Sequence, residues 1–296
     1  MENIDIIIEH AKIPEKMPPY NWYELGAIRN VSEEEQISFC DTPIYQIIPV
    51  KYLIKIIRNK KLRFNNILNS WEDPYELFLL KQDIAIEGYE KQNIYSDLRE
   101  KYFGQCWSLN RDTDAMWRIY SPDKESVRIK TTVLKMINVL DQVRGMKWYE
   151  ASFGKVDYLD QNELIEWMDT VLKEGSGRVL KAFSESLFMK RIEFAHEKEV
   201  RFIIDSPLIE TNQNMNNIFL DHIDMEINPY AFIEEIALDP RLTDEDFEDR
   251  KLLLSSITGK IPICKSNLYT FRKNTYCIEK TPMQVEIITH KNNKIM

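Results

Sequence analysis

The chain has 296 residues, enough to bury a full-sized core as one large domain or two small ones. Apolar residues make up 44% and charged residues 29%, the balance of a soluble globular protein and not of a disordered one. With 39 Lys and Arg against 48 Asp and Glu the formal charge is −9, so the chain lacks the global basic footprint that non-specific nucleic-acid binding needs.

Residues 1–40 read as an accessory segment, broken by Pro14, Pro18 and Pro19 and carrying an aromatic head at Tyr20, Trp22 and Tyr23. Residues 41–296 read as a single domain. The apolar run 44–48 predicts a strand, and Pro49 opens a helix whose stripe is Leu53, Ile54 and Ile57. Asn59-Lys60-Lys61 ends that helix, and residues 62–64 start another strand. In WEDPYE, Asp73 suits an N-cap, with Pro74 at the first helical position and Glu76 three residues after the cap, so a helix is expected there. Residues 106–108 suit a strand and 113–117 a short helix. Ser121-Pro122-Asp123 is a turn, residues 126–130 alternate like a half-buried strand, and Thr131 or Thr132 caps a helix through Val133, Ile137 and Leu140.

Further on, residues 155–158 read as one short strand. The stripe Leu164, Ile165, Met168, Val171 and Leu172 predicts a helix, GSG at 175–177 a turn, and a second helix runs to about Met189. The segment RIEFAHEKEVRFIID then becomes strand-like, placing Glu197, Glu199 and Arg201 on one face. Strands around Ile218, Met225 and Ile236 follow, Asp239-Pro240 is a stop, and Thr243 starts a charged helix. The expected fold class is α+β: a mostly antiparallel, mixed-order sheet with helices inserted between its strands.

The four cysteines (Cys40, Cys106, Cys264, Cys277) form no CxxC pair, and HExxR at His196 lacks the second histidine of a zinc-protease motif. No metal is expected. Neither GxGxxG nor a Walker loop occurs. The start MENIDIIIEH lacks signal-peptide layout and no apolar run approaches the ~20 residues that span a bilayer, so a cytoplasmic protein without membrane contact is expected.

Three motifs carry possible chemistry, each with a plain structural alternative. Asp73, Pro74 and Glu76 are explained by helix capping alone. In CWSLN…AMWRIYS, core packing is the default for Trp107 and Trp117, whereas Arg118 among aromatics suits an anionic ligand such as pyrophosphate. Glu197 and Glu199 suit chemistry in which a sugar carbon becomes cationic; equally, they can form ion pairs on a wet strand face.

Three blocks, IYQIIPVKYLIKIIRNKKLRFNNILNSWEDPYE, CWSLNRDTDAMWRIYSPDKESVRIKTT and FMKRIEFAHEKEVRFIID, resemble a bacterial family catalogued as a domain of unknown function. The motifs that carry the resemblance are DP[FY]E, MW..Y and ExExR. Such families often occur beside phage-defence or toxin genes, which implies a role in antiviral defence or a toxin–antitoxin pair. The block order is in turn similar to ADP-ribosyltransferases of the Arg–Ser–Glu type. That resemblance implies NAD as substrate, with Gln46 in the position of the ribose-holding basic residue and Ser108 in that of the nicotinamide-pocket serine. Glu197 and Glu199 fall on the ExE strand. Gln46 departs from the family's Arg or His. The same resemblance implies Glu199 as the carboxylate facing the ribose and Glu197 as the group that orients or deprotonates the acceptor. Arg118 would meet the pyrophosphate, and Tyr45, Trp107 and Trp117 would frame the nicotinamide.

The expected function is therefore an NAD-dependent ADP-ribosyltransferase-like enzyme that modifies a nucleic-acid or protein acceptor, with a possible antitoxin or neutralising protein as partner. A non-enzymatic sensor or adaptor that binds a phage or host protein is the alternative. A metal-dependent nuclease using Asp73, Glu76 and Glu199 ranks third.

Overall fold

The computed structural model describes residues 28–71, 73–84, 100–145, 149–206, 220–271, 273 and 277. The aromatic head at Tyr20, Trp22 and Tyr23, the expected strand near Ile218 and the end of the chain lie outside the described residues.

Residues Ile28–Arg29 form β1 and Gln36–Cys40 the short helix α1. β2 (Pro43–Pro49) runs directly into α2 (Val50–Asn59), which buries Leu53 and Ile57. Lys60, in the left-handed region at φ 53°, closes the helix as its amide reaches the Ile56 carbonyl. β3 (Lys61–Asn66) leaves from there with strict alternation, burying Leu62, Phe64 and Asn66. The Asn66 side chain caps α3 (Ile67–Ser70) by accepting from the Leu68 amide. The helix expected from Asp73 does not form: residues 74–81 run as successive turns. Asp73 still accepts from the Tyr75 amide, but Glu76 turns inward and does not cap.

β4 (Tyr102–Ser108) precedes α4 (Asp114–Tyr120), capped by Thr113. β5 (Ser126–Thr132) precedes α5 (Val133–Leu140), capped by Thr132. The single strand expected at 155–158 is two, β6 (Glu150–Lys155) and β7 (Asp157–Leu159), which part at Val156. A capping box of Asp160 and Glu163 starts α6 (Gln161–Lys173). α7 (Ser176–Ser186) ends before Met189, which instead begins β8 (Met189–Arg191). A 3-10 turn at Ile192–Glu197 leads into β9 (Glu199–Asp205). β10 (His222–Glu226), α8 (Pro229–Phe232), β11 (Glu235–Leu238), α9 (Asp244–Thr258, capped by Thr243) and β12 (Ile263–Lys265) complete the described elements.

The fold is α+β. Its main sheet runs β1-β6-β9-β4-β2-β5-β11-β12, and β3 joins both β4 and β10. Only β1–β6 and β11–β12 are parallel in this sheet. The pairing at β1 is tight: a methyl group on Gly154 would sit 2.1 Å from the Arg29 carbonyl oxygen, so only glycine fits there.

Central position explains why β9 is buried on both faces. Val200, Phe202 and Ile204 enter one apolar core with Phe103, Trp107, Phe64 and α5. Ile203 enters a second core with Tyr102, Leu77, Leu79 and the inner faces of α6 and α7. Glu199 and Arg201 precede Ile203 on that second face, between apolar packing and the cavity described next. No described helix is long and apolar enough to cross a membrane.

Candidate active site

Sheet register brings the site together. Tyr45 on β2 pairs with Ser108 on β4, and Ser108 pairs with Glu199 on β9, so three residues far apart in sequence form one row across adjacent strands. That row is also where the sheet forks. β4 meets β2 only at Ser108, while its other end pairs with β3 at Phe103 and Gly104. Between those points side chains replace the missing ladder. The Gln46 Nε2 donates to the Cys106 carbonyl (2.9 Å) and to the Gln105 Oε1 (3.0 Å), and the Gln105 amide donates to the Arg63 carbonyl.

A cavity of about 620 Å³ opens over this fork. Its floor is Tyr45, Gln46, Gln105, Cys106 and Ser108; α4 contributes Met116, Ile119 and Tyr120. Trp71 and Phe194 are aromatic walls, and Lys190, His196, Glu76, Glu197 and Glu199 supply charged or titratable groups.

The acid pair is buried, which corrects the reading of a wet strand face: Glu197 is 4% and Glu199 7% exposed. Glu197 belongs to the 3-10 turn and not to the strand. Lys198, held at φ 44° in the left-handed region, turns the chain so that both carboxylates face Lys190. The Lys190 Nζ lies 2.5 Å from Glu197 Oε2, 2.7 Å from Glu199 Oε1 and 3.1 Å from Glu76 Oε1. The fully buried Arg201 donates to Glu199 Oε2 (2.7 Å), to Glu76 Oε1 (2.5 Å) and to the Leu187 carbonyl (2.7 Å). Its guanidinium lies 4.0 Å from the Trp71 ring centre. Tyr120 donates to Glu197 Oε1 (2.8 Å), and the Glu199 amide donates to the Tyr158 hydroxyl (2.8 Å).

These contacts push the two carboxyls apart. Burial raises Glu197, and a hydrogen bond shared with Glu199 raises it further, so Glu197 keeps its proton to higher pH than an ordinary glutamate. Burial works against ionised Glu199 too, but the Arg201 charge, the Glu197 hydrogen bond and Lys190 outweigh it and hold Glu199 ionised. Burial and the neighbouring Glu197 charge raise Tyr120, leaving its hydroxyl a donor. Three carboxyl groups therefore face two cations, and the excess of negative charge is what makes Glu197 the one that binds a proton more readily.

Six of the eight residues singled out from sequence line this cavity: Tyr45, Gln46, Trp107, Ser108, Glu197 and Glu199. The Ser108 hydroxyl donates to the Glu197 carbonyl (2.5 Å) and accepts from the Asn110 amide (3.0 Å), which locks the turn to the strand. Trp107 packs edge-on against Phe232, with ring centres 6.1 Å apart. Trp117 and Arg118 lie elsewhere. Helical spacing turns Met116, Ile119 and Tyr120 toward the cavity. Trp117 is buried with its indole on Asp112 (2.8 Å), and the exposed Arg118 pairs with Asp114. Sequence reasoning missed Lys190, Tyr120 and Tyr158, and assigned Glu76 to a cap. Arg201 was already on the acid face in the sequence reading, and the basic MKR before the acid pair was the signal for a second cation.

Asp73, Glu76 and Glu199 do not form a metal cage. Asp73 binds Arg191 through both oxygens (2.9 and 3.2 Å), while Glu76 and Glu199 are spent on Lys190 and Arg201. Among the described residues, no group of three or more His, Cys, Asp or Glu side chains is arranged to hold a metal ion.

Residues 116–202 match a family described as protein of unknown function (DUF2971), a span that includes the MW..Y and ExExR motifs. No curated protein matches the chain. Three solved structures of Thermus sp. 2.9 DarT align with it. The complex with NAD+ is 14% identical, covering 76% of this chain and 96% of that one, with a TM-score of 0.31. For the complex with ADP-ribosylated ssDNA the values are 14%, 80%, 97% and 0.33. For the carba-NAD+ complex they are 13%, 76%, 95% and 0.32.

Proposed function

We propose that this chain is an NAD-dependent ADP-ribosyltransferase-like enzyme that breaks the nicotinamide–ribose bond over the sheet fork and passes ADP-ribose to a protein or nucleic-acid acceptor. A toxin or anti-phage role is the setting this reading implies, with a neutralising protein as its counterpart. One observation carries it. Gln46, Ser108 and Glu199 line a single cavity of about 620 Å³, with an ionised carboxylate among its walls; pockets for ligands of this class span roughly 300–1,000 Å³.

The chemistry follows from the two unlike carboxyls. As the C1′–N bond breaks, its electron pair leaves with nicotinamide and the ribose carbon becomes oxocarbenium-like. Glu199, kept anionic by Arg201 and Lys190, stabilises that charge more in the transition state than in the ground state. The acceptor's nucleophile then bonds to C1′ and gives up its proton. In its ionised form Glu197 accepts that proton, and its raised affinity for a proton suits it to the role. Gln46 spends its NH₂ on Gln105 and Cys106, which leaves its amide oxygen to accept from a ribose hydroxyl or carboxamide. Tyr45 frames the base, while Trp107, packed into the core on the other face of the sheet, and Trp117 and Arg118 have no part.

The test is NAD turnover with candidate protein, DNA and RNA acceptors, comparing wild type with Glu199→Gln. A loss of about 10²–10³-fold in the variant is expected for removing one charge-stabilising group. Equal turnover in both, or none in either with every acceptor, sinks the reading and favours the binding-module alternative.

A further inference from the structure

We infer that Lys190 is the positioning residue of this site: its ammonium clamps Glu76, Glu197 and Glu199 into one arrangement and presents Glu199 to the cavity as an anion. The catalytic consequence rests on the transferase reading, whereas the clamp itself rests only on the geometry.

The Lys190 ammonium donates to Glu197 and Glu199 and forms a 3.1 Å ion pair with Glu76, so it meets carboxylates from three segments: the 74–81 turns, the 3-10 turn and β9. The Phe194 ring, 4.5 Å from Nζ, lies against the cation, and the side chain is 7% exposed. Burial opposes the Lys190 charge, but Glu199 and Glu76 outweigh it and hold the proton more tightly, so Lys190 is neither base nor nucleophile. Its placement is built into the backbone: β8 pairs with β7 so that Lys190 sits opposite Tyr158, whose hydroxyl receives the Glu199 amide.

Removing the ammonium leaves Glu76, Glu197 and Glu199 facing Arg201 alone. The other groups against the cluster are Cys106 on β4, Tyr120 on α4 and Tyr158 on β7; burial raises all three, so none supplies a countercharge. Like-charge repulsion among the three then raises the cluster's affinity for protons, and Glu199, which loses one of its two cationic partners, shifts upward.

Carboxyl carbon NMR titration of wild type, Lys190→Met and Lys190→Arg tests this, beside the pH profile of NAD turnover. In wild type the Glu199 carboxyl does not titrate between about pH 5 and 8. Lys190→Met moves the Glu199 titration up toward that window and moves the acidic limb of turnover up by about one pH unit or more; Lys190→Arg restores both in large part. A Lys190→Met titration identical to wild type overturns the clamp, as does a wild-type Glu199 that titrates like a free glutamate. If Lys190→Met does not fold, the wild-type titration and Lys190→Arg decide. Wild-type protein that turns over no NAD removes the transferase reading, while the carboxyl titration still judges the clamp.

Discussion

Replacing Arg201 with methionine tests whether the buried charges hold the two apolar cores and the site together. The guanidinium is fully buried, stacks on Trp71 and makes three hydrogen bonds, to Glu199, Glu76 and the Leu187 carbonyl. Methionine matches the bulk but leaves Glu76 and Glu199 sharing only Lys190, and it orphans one carbonyl. Breaking a buried pair in this way costs about 3–5 kcal/mol, a large part of a typical stability of roughly 5–15 kcal/mol. With a urea m-value of roughly 3 kcal/mol/M, the unfolding midpoint falls by about 1–1.7 M. Circular dichroism across a urea series reads this directly. A double-mutant cycle sharpens it. Glu76→Gln alone destabilises, yet in the Arg201→Met background it removes an underpaired charge, so the two changes couple by about 1–3 kcal/mol. A midpoint shift under about 0.3 M, or additivity within about 0.5 kcal/mol, refutes the account of a cooperative charge cluster.

Three further outcomes are expected. Burial pushes the Asp205 carboxyl up to about 6 despite its 2.8 Å contact with Lys101. The folded state thus binds this proton more tightly than the unfolded chain, whose Asp titrates near ~3.9, so the stabilisation is complete below about pH 4 and is lost as pH rises through about 6. Asp205→Asn therefore flattens the melting temperature between those values, and an unchanged slope refutes the assignment. Gly154→Ala drives a methyl into the Arg29 backbone and detaches β1, costing about 1–3 kcal/mol; faster hydrogen exchange at the β1–β6 pairing reports it, and protection equal to wild type counts against it. Among the described cysteines, Cys277 is exposed, Cys40 is buried with its thiol pushed up to about 11, and burial also raises Cys106. A thiol reagent at neutral pH should label Cys277 first, and rapid labelling of Cys40 would contradict the packing.

Local chemistry decided much of this protein. Residues 44–48, the stripe of α2, the Thr132 cap and the start of α9 at Thr243 are visible because each depends on neighbours a few positions away, whereas β5, read as half-buried, is covered on both faces and buries Arg128. The fold class was legible because strand periods and turn signals survive in the linear order, and the resemblance in block order picked out Gln46, Ser108, Glu197 and Glu199, which line one cavity. WEDPYE misled because a good cap pattern is necessary for a helix and does not suffice for one. There Glu76 is drawn inward by Lys190 and Arg201, and residues 74–81 settle into turns. Helical phase likewise carried Arg118 and Trp117 away from the cavity, although they adjoin residues that line it. What tertiary structure alone decided is the electrical state of the acid pair. Glu197 and Glu199 are two residues apart and chemically identical, and only the register of β4 with β9, the pairing of β7 with β8 and the left-handed Lys198 bring Lys190 and Arg201 against them. Burial and Coulomb interactions between residues distant in sequence, strengthened by exclusion of water, raise the proton affinity of one and lower that of the other.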